Sequence, residues 1–163
     1  MSSIHPYTEH VEKTCRRPGP ARGTRVLVAS GSRLFAEALM LTLDVNPLLE
    51  PIGYALDAWE SLQLTSELEP DVVIAAELPG IDTVTFARLT HELAPPVRII
   101  ILAEALAPSE VERAYAAGAA DYLPSDRSAD DLLSAIEGAQ IRQARFERSA
   151  VGTRRPAWDR AEA

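Results

Sequence analysis

Cysteine and lysine each occur once in this chain of 163 residues, and no long apolar run occurs at all. Each shortage removes a class of explanation. The lone Cys15 has no partner in the chain, so no internal disulfide can staple the fold, and a surface thiol in a reducing cytoplasm is the plain reading. No apolar stretch approaches the roughly 20 residues that span a bilayer, which excludes a membrane helix. Met1 to Lys13 is mixed and polar, without the apolar segment of a secretory leader. Lys13 is the single lysine among 16 basic residues, a bias that, with abundant alanine, points to a GC-rich bacterial genome. Internal repeats are also lacking.

What is present fits one soluble domain with tails. The chain is 47% hydrophobic and 25% charged, enough to bury a substantial core and too apolar for a disordered chain. Its net charge of -8 is unevenly spread. Residues 24–141 hold six arginines against nineteen acids. Residues 1–23 carry Lys13, Arg16, Arg17 and Arg22 against Glu9 and Glu12, and residues 142–163 carry six arginines against three acids. An acidic body between mildly basic ends repels phosphate backbones, which argues against nucleic acid as a partner of the body.

Arg17-Pro18-Gly19-Pro20 blocks helix and sheet alike, so 1–23 reads as a disordered leader and order begins at Thr24. Strands and helices then alternate. Val26–Ala29 is a first strand, and Ser32 can cap a helix from Arg33 to about Val45, with Leu34, Ala38 and Leu41 at helical spacing. Ile52–Leu56 reads as a second strand, and Asp57-Ala58-Trp59-Glu60 has the capping-box spacing that opens a helix to about Leu68. Val72–Ala76 is apolar at every position, as a strand buried on both faces of a parallel sheet must be. Thr83–Leu93 is a third helix, closed by Pro95-Pro96, and Val97–Leu102 a fourth strand. Ser109-Glu110-Val111-Glu112 repeats the capping-box spacing for a helix that stops at Gly118. Asp121–Pro124 is a short last strand, and Ser128 caps a helix from Ala129 to at least Ile141. This alternation predicts an α/β class, a doubly wound five-stranded parallel sheet.

Particular segments narrow the reading. Arg25-Val26-Leu27-Val28-Ala29, Pro70-Asp71-Val72-Val73, Pro79-Gly80-Ile81-Asp82, Ala116 to Leu123, and Asp130 to Ile136 follow one another in a set order. Together they resemble the receiver domain of two-component response regulators, a flavodoxin-like (βα)5 fold, over residues 24–140. The likeness is greatest to the subfamily that usually carries a helix-turn-helix output domain.

The resemblance implies five working groups at the C-terminal strand ends. Two acids after the first strand and an acceptor aspartate on the third hold Mg²⁺ through oxygen ligands. The metal and a lysine after the fifth strand neutralise the transferring phosphoryl group, and a Ser or Thr ending the fourth strand binds it. In this sequence those positions fall on Ser30 and Gly31, Ala76, Ser125 and Ala103. All five are replaced, so no cofactor or metal is expected and the chain reads as a degenerate pseudo-receiver. Glu77, Asp82 and Glu104 are candidate rim acids; strand alternation would send Glu77 away from Ala76, and the loop before Pro79 reads one residue short. Tyr122 matches the receiver aromatic that moves with phosphorylation state and is a candidate interface residue. The Leu123-Pro124 peptide could be either isomer. His91 lies on a helix with no evident partner, and no His or Cys falls at a strand end, which leaves little for an enzyme to use.

Residues 142–163 read as a helix extension (Arg142 to Ser149) and a flexible basic tail that includes Trp158. The expected function is therefore a phosphorylation-independent, cytoplasmic regulatory module in signalling or transcription control. It would act by protein contact, with a partner or with itself as a homodimer, and without membrane or DNA-binding elements of its own. The alternative is a small-metabolite sensor using the neutral pocket left by the five replacements, since open α/β sheets bind ligands at these strand ends.

Overall fold

The computed structural model describes residues 23–105 and 107–139. The expectations for the leader 1–22, Ile141 and the tail 142–163 lie outside these residues. Five strands and five helices alternate: β1 (Thr24–Ala29), α1 (Arg33–Asp44), β2 (Leu49–Ala55), α2 (Ala58–Leu68), β3 (Val72–Ala75), α3 (Thr83–Leu93), β4 (Arg98–Ala103), α4 (Pro108–Ala116), β5 (Asp121–Pro124) and α5 (129–139). All strands are parallel, in the order β2-β1-β3-β4-β5. This is the doubly wound sheet expected from the sequence.

The non-alternating strands explain the layers. Successive residues point to opposite faces, so a strand apolar throughout can supply two cores. Val26, Val28, Val72, Ile74, Ile100 and Leu102 pack with Leu39, Met40 and Leu43 of α1 and with Leu132, Ala135 and Ile136 of α5. Leu27, Ala29, Val73, Ala75, Ile99 and Ile101 pack on the other face with Leu68, Phe86, Ala87 and Ala114 of α2, α3 and α4. Phe86 is fully buried there, and truncating such a ring to Ala typically costs about 3–5 kcal/mol.

Several element limits differ from the sequence reading, each for a local reason. β2 starts at Leu49 because Leu49, Glu50 and Pro51 pair with Thr24, Arg25 and Val26. The mixed Leu-Glu-Pro hides that strand, yet an edge position tolerates proline. β3 ends at Ala75 and β4 runs from Arg98 to Ala103. The Ser109 capping box is not formed: Pro108 occupies the first turn of α4, and Ala107 is the N-cap without a side-chain bond. Proline has no N–H to satisfy and a helical φ, so it takes the first position ahead of the serine. The other caps are made. Asp57 accepts from the Glu60 amide at 2.8 Å while the Glu60 carboxylate accepts from the Leu56 amide at 2.9 Å. Ser128 and Asp131 cap one another's backbone amides at 3.2 and 3.3 Å.

Gly118, at φ +101, ends α4 with the paired bonds Gly118 N–H to Tyr115 C=O and Ala119 N–H to Ala114 C=O. A Cβ at Gly118 would sit 2.6 Å from the His91 ring, so that histidine packs over a helix end. The structure also assigns the two apolar sides of α1. Its core side is Ala36, Leu39, Met40 and Leu43, while Leu34, Ala38 and Leu41 face solvent. No cis peptide occurs among the described residues, Leu123-Pro124 included. No helix among them is long and apolar enough to cross a membrane.

Candidate functional site

Because every strand is parallel, the loops that follow them gather at one edge of the sheet. The chain leaves β1 toward β2 on one side and returns to β3 on the other, opening a crevice at that edge. The crevice is a hollow of about 970 Å³. Ser30, Gly31, Ala76, Ala103 and Ser125 all line it, as do the rim acids Glu77, Asp82 and Glu104 and the aromatic Tyr122. Residues widely separated in the chain thus share one site.

Its loops are laced by backbone hydrogen bonds. Ser30 N–H donates to Ala55 C=O at 3.0 Å, Gly31 N–H to Glu77 C=O at 2.8 Å, and Ser125 N–H to Ala103 C=O at 2.7 Å. Ala76 N–H donates to Ala29 C=O at 2.8 Å, and the residue is buried, with only its methyl group to offer. The Ser30 hydroxyl is turned to local work, accepting from the Ser32 amide at 3.2 Å.

Gly31 decides how much room remains. A Cβ added there would lie 2.9 Å from Cδ of Pro79 and 3.3 Å from the Glu77 carbonyl oxygen. Pro79 is held in place by a tight turn: Leu78 and Ile81 bridge across Pro79-Gly80, with Gly80 at φ +76. Proline second and a left-handed glycine third is the demand of a type II turn. The loop that reads as shortened therefore abuts Gly31, and any side chain at 31 meets a proline ring.

The acids divide by role. Asp82 is the N-cap of α3; its carboxylate accepts from the Thr85 hydroxyl and from the Thr85 amide at 3.0 Å. Those bonds, hydroxyl first, hold its carboxyl below the usual 3.8. Glu77 and Glu104 are exposed. Strand alternation does not govern Glu77, because β3 has already ended, and both Ala76 and Glu77 border the hollow.

Tyr122 is 6% exposed, its hydroxyl donating toward Glu110 at 3.3 Å and the Ala105 carbonyl at 3.4 Å. Burial, then the Glu110 charge and hydrogen bond, push the phenol above 10.0. Glu110, Phe35, Ser32 and Thr83 also line the hollow, and the sequence did not mark them as site residues. No spacing links Glu110 to Tyr122; placing α4 from Pro108, with Glu110 in its first turn, is the one clue.

No protein-family model matches the chain. The uncharacterized transcriptional regulatory protein YvfU of Bacillus subtilis is 35% identical over 113 residues, 69% of this chain and 56% of that one. The chain thus spans just over half the length of that curated relative. The response regulator domain of CheB from Thermotoga maritima superposes with a TM-score of 0.66 at 25% identity, over 72% of this chain and 96% of that domain. A CheY-like receiver domain protein from Methanospirillum hungatei superposes with a TM-score of 0.69 at 17% identity, over 77% and 99%. The fold is that of a response-regulator receiver domain.

In this fold Ser30, Gly31, Ala76, Ala103 and Ser125 meet at the one edge where the strands end. Among the described residues no group of three or more His, Cys, Asp or Glu side chains could hold a metal ion. Ser30 and Gly31 offer no carboxylate, and Ala76 no acceptor oxygen. The residues present do not fit a Mg²⁺ ion, and no phosphoryl step is derived through one.

Proposed function

We propose that this chain is a pseudo-receiver: a regulatory, non-catalytic module in signalling or transcription control that works without phosphorylation and acts by protein–protein contact. The receiver-like domain would comprise residues 24–141, with 1–23 and 142–163 as appendages, in the cytoplasm. One observation carries the reading. At the edge where a receiver needs a metal, an acceptor and a cation, this chain places Ser30, Gly31, Ala76, Ala103 and Ser125, and closes the space at Gly31 with Pro79. Acids without a metal or a cation cannot stabilise a transferring phosphoryl group. Incubation of the chain with acetyl phosphate and Mg²⁺, read by intact mass, should leave the mass unchanged; a stoichiometric phosphoryl adduct would overturn the proposal.

The hollow itself favours a second reading. A space of about 970 Å³ with an apolar portion from Phe35, Leu78 and Leu102 beside Ser30 and Ser125 is of ligand size, so a small metabolite bound there could tune partner contact. A thermal-shift screen against cell metabolites tests it. A ligand at 100 times its Kd should add about 2.7 kcal/mol of stability; a screen without a hit leaves protein contact alone.

A further inference from the structure

The hollow at the strand ends carries charge of one sign only. Four carboxylates line it, Glu77, Asp82, Glu104 and Glu110, and none of its lining residues is Lys, Arg or His. Asp82 is engaged by the Thr85 hydroxyl and amide and feels the Arg113 charge. The other three are exposed, and no cation among the described residues pairs with them. Glu110 accepts the Tyr122 hydroxyl at 3.3 Å, a neutral donor that leaves its charge in place. Among the described residues no three acids come near enough to hold one metal ion, so this charge is spread around a rim.

The rest of the lining suits a molecule rather than an ion. Phe35, Leu78 and Leu102 give it an apolar portion, and its volume of about 970 Å³ is of ligand size. Ser30 adds a buried polar atom. It is 3% exposed, and its hydroxyl accepts the Ser32 amide at 3.2 Å. The second lone pair and the hydroxyl proton have no partner among the described residues. Buried polar groups are generally paired, and one left half-spent in a recess is a group that a ligand completes.

Charge selects the ligand's class. An anion would meet carboxylates with no cation in the lining to offset them. A neutral molecule covering Glu77, Glu104 and Glu110 would strip water from their charges and return nothing, which costs free energy. The N-termini of α1 and α3 would draw an anion, yet Ser32 and Asp82 already accept from the Phe35 and Thr85 amides there. We propose that the hollow binds an organic cation: a primary amine on a compact apolar ring system. The ring lies against Phe35, Leu78 and Leu102, the ammonium among Glu77, Glu104 and Glu110, and an N–H or O–H of the ring completes Ser30. This inference rests on the ligand reading above and names the ligand's chemical class.

The test uses the full chain, isotope-labelled, and three probes that share an indole ring: tryptamine, a cation; tryptophol, neutral; and indoleacetate, an anion. In an amide NMR titration tryptamine should move the signals of Ser30, Gly31, Glu77 and Ala103. It should bind at least about tenfold more tightly than indoleacetate, with tryptophol between them, and weaken as salt rises. Glu77→Gln, Glu104→Gln and Glu110→Gln together, all at exposed positions, should bring the three affinities within about threefold, with the circular dichroism spectrum unchanged. Glu67→Gln, on α2 and outside the hollow, should leave the preference as it was. Equal affinities, shifts mapped elsewhere, no tryptamine binding, or a preference that survives the triple substitution overturns the proposal. Tighter binding of indoleacetate or tryptophol also overturns it, removing the cation and keeping the hollow as a ligand site. A silent titration joined to a metabolite thermal-shift screen without a hit removes the ligand reading itself.

Discussion

Gly31 and Pro79 form the contact on which the candidate site turns. Gly31 is not among the glycines with positive φ, so its backbone would accept alanine, and relief of unfolded-state entropy alone would stabilise by about 0.4–1 kcal/mol. The added methyl group would instead meet the proline ring at 2.9 Å. Overpacking of that kind costs about 1–3 kcal/mol, so Gly31→Ala should lower the urea midpoint, and combination with Pro79→Ala should recover the loss. Midpoints that fall additively would show that the contact is not the cause. Asp82 offers a second test at this scale. Its carboxyl is held below 3.8 in the folded chain, so its stabilisation is complete above that value and is lost as pH falls through the folded value. Asp82→Ala should cost about 1 kcal/mol at neutral pH, and the gap to the parent should close in acid; Asp82→Asn, which keeps an acceptor, should cost less. A gap that persists unchanged at low pH would remove the charge from the account. Little of this was legible in the sequence. The five replacements could be read position by position, but the closure at Gly31 depends on two loops meeting, and no local pattern at 31 names a residue 48 positions away.

Elements were more legible than their edges and faces. β1, β3 and β4 declared themselves because strands buried on both sides are apolar throughout, and Asp71 of the Pro-Asp pair proves to anchor β3 by accepting from the Arg25 amide at 2.9 Å. α1 is legible as a helix, but its facing is not. Its residues 34–45 are apolar on two opposite sides, so spacing alone cannot say which row meets the sheet; only the second row, Ala36 to Leu43, does so. α4 was found with the wrong cap, since Ser109 and Ser128 carry the same three-residue spacing to an acid but Pro108 takes the first turn of α4. The two serines therefore make a paired prediction. Ser128→Ala should destabilise by about 1 kcal/mol through the lost cap, whereas Ser109→Ala should be near neutral. Urea unfolding of both variants checks it, and an equal loss at Ser109 would contradict the cap assignment.

At the scale of the whole molecule, the proposed pseudo-receiver keeps the scaffold of a receiver and sets other residues at its edge. The sheet order, both cores and the crossing of the chain between β1 and β3 serve packing, and they are intact. The edge above them carries Ser30, Gly31, Ala76, Ala103 and Ser125, and its loops are tied to one another through Gly31, Glu77, Ala103 and Ser125. If the proposed independence of phosphorylation rested on five side chains alone, supplying them would supply phosphotransfer. The geometry at Gly31 argues otherwise: a Cβ there would lie 2.9 Å from the Pro79 ring, so a carboxylate at position 31 competes for space with the closed Leu78–Ile81 turn. The variant Ser30→Asp, Gly31→Asp, Ala76→Asp, Ala103→Thr and Ser125→Lys should therefore still gain no phosphoryl group from acetyl phosphate and Mg²⁺, and should be less stable than its parent from the clash at 31. Intact mass reads the first outcome and urea unfolding the second. A stoichiometric adduct on this variant would mean that the turn yields, and that identity at five positions alone separates this chain from a working receiver.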